Sequence, residues 1–329
     1  MNNQVFIAWN KFQRRAFSMQ LFFNLKIFFF PNRFKNRKLR AFEYIYKSIT
    51  TIFLLSKKRP RIVWFQLPPT PLIVIGRIYK SIYPGAYILA DCHNAIISNK
   101  WKPYFHDYKS LNIFDTIVVH NYVIEDIIKK YSINEEKLIV LETKPAIKTI
   151  KNIKKDIRQN HVLMPCSFHE DEPLNIVFEA ANLVPQITIL ISGDTSKAKG
   201  IHDLSEVPKN VKFIGYLSIS EYETVFNECE AVIGLTTEDH IQLSVANEAV
   251  GFEKPMIISD TPLLRSLFYK GAVYVDTFNA KSIANGINDC ILNNNKLQKD
   301  INALKKERAK RWENQARQIQ ERIEQKIKN

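Results

Sequence analysis

Twelve short apolar runs punctuate this chain, and stretches with helical spacing separate them. In the first half the runs cover residues 5–8, 26–30, 61–65, 86–90, 116–119 and 137–141. In the second half they cover 161–164, 188–192, 211–216, 231–235, 255–259 and 272–275. Runs of this length, alternating with helices, are the pattern of parallel βαβ units. A polar, lysine-rich stretch over 143–160 interrupts the pattern and is the expected interdomain linker. The expected fold is therefore α/β, with two doubly wound Rossmann-like domains at 1–150 and 151–295. A length of 329 residues suits two domains of about 100–200 residues each.

Several helices can be placed between the runs. Leu39, Phe42, Ile45, Ile49 and Phe53 recur with helical spacing across 37–56. Thr70 and Pro71 suit the N-cap and first turn of another helix. Further helices fit 220–229 and 242–251. Residues 296–329 form a third element. From Leu297, apolar residues recur at Ile301, Leu304, Trp312, Ala316, Ile319, Ile323 and Ile327 in a highly charged background. That stripe predicts one long amphipathic helix, and the basic N-terminal half is its expected packing surface.

Composition narrows the function classes. Glycine is scarce, 9 of 329 residues, and neither a P-loop nor a dinucleotide fingerprint is present. Cys92, Cys166, Cys229 and Cys290 are scattered, which indicates neither a zinc site nor a disulfide framework, so no metal and no cofactor are expected. No signal peptide is read at the start. The most apolar stretch, 19–30, contains Gln20, Asn24 and Lys26 and is too short to span a bilayer. Charge is uneven. Residues 1–150 hold 24 Lys and Arg against 9 Asp and Glu, while 151–329 hold 23 against 24. Residues 1–60 hold 13 basic residues and one acid, Glu43. Such asymmetry points to different partners for the two halves.

In open parallel sheets, ligands bind beyond the carboxyl ends of the strands. After the run at 86–90 come Asp91, Cys92, His93 and Asn94, which bring a carboxylate, an imidazole and an amide into one loop. His93 can act as a base or hold a sugar hydroxyl, and Asp91 can orient it or be the base itself. A plain helix-capping loop explains the same residues. After 161–164, Ser167 and nearby backbone amides could donate to a phosphate, although the acids at 170–172 equally suit an ordinary helix start. After 231–235 come Thr236, Thr237, Glu238, Asp239 and His240, and then a helix carrying Glu248. A helix start near Ser244 could receive a diphosphate, and Glu248 one turn on could hold ribose hydroxyls or merely be solvated.

The segment 246–260, Ala-Asn-Glu-Ala-Val-Gly-Phe-Glu-Lys-Pro-Met-Ile-Ile-Ser-Asp, resembles the donor-site signature of GT-B glycosyltransferases of the family-4-like type. The order of 189–193 and 211–216 resembles the same family, as do Pro68-Pro69-Thr70 and the 91–94 loop. The likeness is strongest over 160–280. It implies two Rossmann-like domains facing a cleft, with a C-terminal helix crossing back to the first. It implies Glu248 on the donor ribose, and Thr236, Thr237 and Glu238 near the donor sugar and diphosphate. It further implies Gly215 and Tyr216 near the base, and His93 toward the catalytic centre. The chain departs from the family pattern at His240, where a glutamate usually stands. The family's Arg and Lys after the first C-terminal strand, and its glycine pair after the first strand, are also missing.

Arg14, Arg15, Lys26, Arg33, Lys35, Arg37, Lys38 and Arg40 are interleaved with nine phenylalanines between Phe12 and Phe42. Basic and aromatic residues together suit an anionic membrane surface, and they also suit single-stranded nucleic acid. A buried core with a solvated charged face is the plainer account, and for 28–30 the preferred one. The combined reading is a cytoplasmic glycosyltransferase, peripheral on the inner face of the plasma membrane. It would use a UDP- or GDP-linked sugar and a glycan or lipid-pyrophosphate acceptor for surface polysaccharide. Asp91 and His93 are the catalytic candidates, and Arg14, Arg15 and Asn94 the acceptor candidates. A nucleotide-sugar epimerase of the same fold is the near alternative. A basic nucleic-acid-binding protein is the distant one, and no nucleic-acid motif supports it.

Overall fold

A computed structural model of the chain describes residues 4–34, 36–97, 101, 108–145 and 161–328. The chain divides into two compact units, Met1–Lys144 with Lys310–Asn329, and Pro145–Ala309. Most of the expected linker, 146–160, lies outside the described residues, as does Lys35.

The first unit holds one parallel sheet of β1 (Gln4–Ala8), β2 (Leu25–Phe29), β3 (Ile62–Leu67), β4 (Tyr87–Cys92), β5 (Thr116–Val119) and β6 (Leu138–Val140). The spatial order is β2-β1-β3-β4-β5-β6. Side chains alternate across a strand, and this sheet buries both of its faces. Val5, Ile7, Val63, Phe65, Ile88 and Ala90 point into one core. That core is closed by α2 (Arg40–Lys58), α3 (Pro71–Ile82) and α4 (Tyr122–Lys129). Phe6, Ala8, Trp64 and Leu89 point the other way, onto α1 (Arg14–Phe23) and the end of the last helix.

The second unit repeats the plan with β7 (His161–Pro165), β8 (Thr188–Ser192), β9 (Val211–Gly215), β10 (Ala231–Gly234), β11 (Met256–Ser259) and β12 (Ala272–Val275). They are all parallel, in the order β12-β11-β10-β7-β8-β9. Its helices are α5 (Leu174–Leu183), α6 (Ile219–Glu228), α7 (Ser244–Phe252), α8 (Pro262–Leu267) and α9 (Ala280–Leu292). Local chemistry sets their starts. Ser218 and Glu221 form a reciprocal capping box on α6, and Thr261 caps α8 with Pro262 in its first turn. At α3 the expected Thr70 cap does not form. Thr70 already has helical angles and its side chain makes no cap bond, so Pro71 alone marks that start.

The tail is one helix, α10 (Asn294–Lys328), and it belongs to both units. Ile301 and Leu304 lie in the second unit and the later turns in the first, so the stripe is shared between the units, as the resemblance implies, and is not packed along its whole length on the N-terminal half. There Trp312, Ala316, Ile319 and Ile323 are buried, with Trp312 edge-on to Phe22 and Phe23.

Helix α2 is inside-out. Its apolar stripe is real, yet Phe42, Ile45, Ile49 and Phe53 are 64%, 56%, 63% and 67% exposed. The buried stripe is Glu43, Lys47, Thr51 and Leu55. Each polar member has a partner that explains its direction. Glu43 accepts the N–H groups of Arg33 and Phe34, the Lys47 ammonium donates to Asn32, and Thr51 accepts from the Trp9 indole. The segment after β2 therefore needs a polar helix face, and the apolar face is left outward. Phe28 on the edge strand β2 and Phe30 just after it do pack against the core and remain partly buried.

Candidate functional site

Both candidate regions lie beyond the carboxyl ends of the strands. In the first unit, Asp91 closes β4 and is completely buried. Arg15, from the first turn of α1, donates through Nε to Asp91 Oδ1 at 3.1 Å. The same guanidinium donates to the carbonyls of Glu142 and Leu141, each at 2.8 Å. His120, just past β5, puts Nε2 3.2 Å from Asp91 Oδ1. His93 Nε2 lies 3.6 Å from Oδ2, beyond hydrogen-bond length. Its ring meets that of His120 edge-on at 4.4 Å, and the Gln13 amide sits 3.3 Å from it.

Electrostatics assign the protons. Burial by itself raises the Asp91 pKa, but the charge of Arg15 and the bond to His120 hold it well below the ordinary carboxylate value. Asp91 is ionised and can only accept, so His120 carries its proton on Nε2. Burial first, and then the Arg15 charge, push the His120 pKa down to about 3, so its imidazole stays neutral. The ligand atoms of Asp91, His93 and His120 lie within 4.8 Å of one another, a spacing that could suit a metal ion. The buried Arg15 guanidinium on the same carboxylate opposes a second cation there.

In the second unit the loops after β7, β8 and β9 are stitched together. Cys166 N–H donates to Ser192 O, and Gly193 N–H to Gly215 O, both at 2.8 Å. Gly193 has φ +145°, and a Cβ there would lie 2.1 Å from Cys166 O, so only glycine fits. The amides of Ser167 and His169 converge on the Glu172 carboxylate at 2.8–3.0 Å. Thr236 is buried, and its hydroxyl donates to Asp171 at 2.7 Å. Thr237 N–H donates to Asp171 O at 2.8 Å. Helix α7 follows, without a side-chain cap at Leu243. Glu248 is half-buried one turn in, and the Tyr222 hydroxyl of α6 donates to its Oε2.

The structure redistributes the residues singled out from sequence. Arg15 is corrected from an acceptor ligand to a buried structural cation. Asp91 is corrected from a candidate base, because a sealed carboxylate held ionised by Arg15 cannot reach a substrate. The Ser167 amide meets Glu172 in place of a phosphate, and the Thr236 hydroxyl meets Asp171. His93, Thr237, Glu238 and Tyr216 keep exposed surface, and Tyr216 is 85% exposed. Gly215 adopts φ +72° at the end of β9. Arg14 is half-buried on α1, and Asn94 Oδ1 accepts a hydrogen bond from the side-chain amide of Asn121, the cap of α4. His120 was missed, although it occupies the position after β5 that His93 occupies after β4. Tyr222 carries no sequence signal, since only the packing of α6 on α7 aims it.

A family model for "Glycosyl transferases group 1" matches residues 144–318, more than half of the chain. No curated protein matches by sequence. Among solved structures, Anabaena HepE in complex with UDP and glucose superposes with a TM-score of 0.73 at 14% identity, over 99% of this chain and 100% of that one. A glycosyltransferase from Rickettsia africae gives 0.70 at 14% identity, over 100% and 99%. A UDP-forming α,α-trehalose-phosphate synthase from Burkholderia xenovorans gives 0.66 at 12% identity, over 87% and 79%. The fold is GT-B.

The Arg15–Asp91 pair generates a stability prediction. Removing one partner of a buried ion pair leaves an uncompensated charge and costs about 3–5 kcal/mol. Arg15→Met should lose that much in urea unfolding, while Arg14→Met should lose under about 1 kcal/mol, the usual range for a less buried site. Equal losses in the two variants would contradict the role given to Arg15.

Proposed function

Because the chain belongs to the group 1 glycosyl transferases, we propose that it moves a sugar from a nucleotide-sugar donor, UDP- or GDP-linked, to a lipid-linked glycan in surface polysaccharide synthesis. The observation that carries the donor side is Glu248 on α7, inside the matched segment and held by Tyr222. Its carboxylate accepts the ribose hydroxyls. The first amides of α7 stabilise the negative charge of the diphosphate as it departs. Tyr216 offers a ring to the base, and Thr237 and Glu238 meet the sugar. The complexes of HepE with UDP and with UDP-glucose support a uridine nucleotide. On the acceptor side His93 receives or holds the hydroxyl proton. Asp91 stays beneath it as a buried anchor of the loop, and Arg14 and Asn94 remain candidates for the acceptor.

The outward face of α2 supports a peripheral place on an anionic membrane. Beside it, α3 exposes Val74, Ile78 and Ile82. Lys38, Arg40, Lys57, Arg59, Arg61 and Arg77, on or next to these helices in sequence, are also exposed. Exposed apolar residues on helices that also carry exposed cations fit the boundary between acyl chains and anionic headgroups. No helix of the described residues is long and apolar enough to cross a membrane.

Two measurements test this reading. A hydrogen bond to a charged group is worth about 1.5–3 kcal/mol, so Glu248→Ala should weaken UDP or GDP binding roughly 10- to 100-fold. A folded variant that binds as tightly as the parent would overturn the donor assignment. Separately, the protein should sediment with phosphatidylglycerol vesicles, be released by salt, and lose most binding when Phe42, Ile45, Ile49 and Phe53 all become Ser. Unchanged sedimentation of that variant would contradict the membrane face.

A further inference from the structure

Helices α6 and α7 each begin beyond the carboxyl end of a strand, β9 and β10, and they meet in two rungs. In the rung nearer the helix starts, the Tyr222 hydroxyl donates to Glu248 Oε2. In the other, Phe226 lies tilted on Phe252 with ring centroids 4.7 Å apart. The rungs are one turn apart on both helices, so they share one face of each. The Phe226–Phe252 rung is sealed, because both residues are buried. The Tyr222–Glu248 rung keeps surface, because both residues are half-buried. A polar pair thus stands over an apolar one, at the end of the sheet where ligands bind.

Tyr222 is fixed in place by the fold itself. It follows the reciprocal capping box of Ser218 and Glu221, and its own N–H donates to Ser218 O at 2.9 Å. Its ring meets Phe226 edge-on at 5.5 Å. At the other end of the pair, the buried Lys254 ammonium, just past α7, donates to the carbonyls of Asn227 and Cys229, where α6 finishes. Glu248 is different in kind. It is a long side chain, and immobilising it when a ligand binds costs rotamer entropy. A bond from Tyr222 places its carboxylate in the free protein, so less freedom is lost on binding. That bond does not exhaust the group, because a carboxylate offers about four acceptor positions.

We propose that Tyr222 is a positioning residue for nucleotide recognition: it holds the Glu248 carboxylate where ribose hydroxyls meet it, and so sets the preference for a ribose-bearing nucleotide over one without those hydroxyls. The proposal rests on the reading of Glu248 as the ribose ligand. Tyr222 acts through Glu248, so its effect requires that carboxylate.

The test uses the full chain and calorimetric titration with UDP, GDP and the 2′,3′-dideoxy counterpart of each. For the nucleotide that binds, the parent protein should prefer the ribose form at least about tenfold, the equivalent of about 1.4 kcal/mol. Tyr222→Phe leaves a ring to pack on Phe226 and removes the hydroxyl. It should cut the preference at least about fivefold by weakening the ribose form, while the dideoxy form binds as it does to the parent, which also shows that the variant is folded. Added to Glu248→Ala, the same substitution should change nothing further. A tyrosine that only braces the helices would weaken both forms alike and leave the preference intact, and that result would overturn the proposal. An equal loss from Tyr222→Phe with and without Glu248 would overturn it too. A parent that binds neither nucleotide, or has no ribose preference, or a Glu248→Ala variant that keeps one, would overturn the reading of Glu248 and the proposal with it.

Discussion

The buried contact between Arg15 and Asp91 organises the first unit. One guanidinium joins the start of α1, the end of β4 and the carbonyls that follow β6. The linkage continues through Glu142, whose N–H donates to Gln315 and whose carboxylate accepts from Arg311, both on α10. The last helix is thereby tied to the same point as the first. His120 completes the arrangement by donating to Asp91 from the end of β5. An unpaired charge at this depth would be expensive, so each element must arrive for the others to be stable. The consequence for chemistry is a division of roles. Asp91 is sealed inside as an anchor, and His93 is the member of the loop left with surface toward a cavity.

The second unit shows the same economy with different groups. Glu172 and Asp171 occupy the amides and hydroxyl of the loops after β7 and β10, and they hold those loops in shape. The Ser167 and His169 amides and the Thr236 hydroxyl are therefore engaged within the unit. The start of α7 and the Tyr222–Glu248 pair keep the polar surface on which the donor reading stands.

Much of this was legible in the sequence. The twelve strands among the described residues lie where short apolar runs predicted them, because a strand covered on both faces is apolar at most of its positions. The long tail helix was legible from its stripe, but its division between the two units came from the family resemblance and not from the stripe. A stripe gives a helix's period and says nothing about which surface covers it. Helix α2 shows the stronger form of that limit. Its spacing gives a helix, and its direction depends on Glu43, Lys47 and Thr51 meeting partners brought from β1 and from the segment after β2. In the site, position after a strand identified Asp91 and His93. Neither the burial of Asp91 nor its pairing with Arg15, 76 residues away in sequence, can be read from spacing. Glu248 was found by resemblance to a family signature, while its partner Tyr222 depends on packing alone.

The most direct test of this account is a histidine-selective ¹⁵N NMR titration of the intact protein, with the His120 resonance assigned by His120→Gln. A neutral ring with its proton on Nε2 should persist through the range around 6.5 in which a solvated histidine titrates. A His120 signal that titrates with a midpoint near that ordinary value, or that carries its proton on Nδ1, would mean that Asp91 is not held as the ionised anchor of the unit.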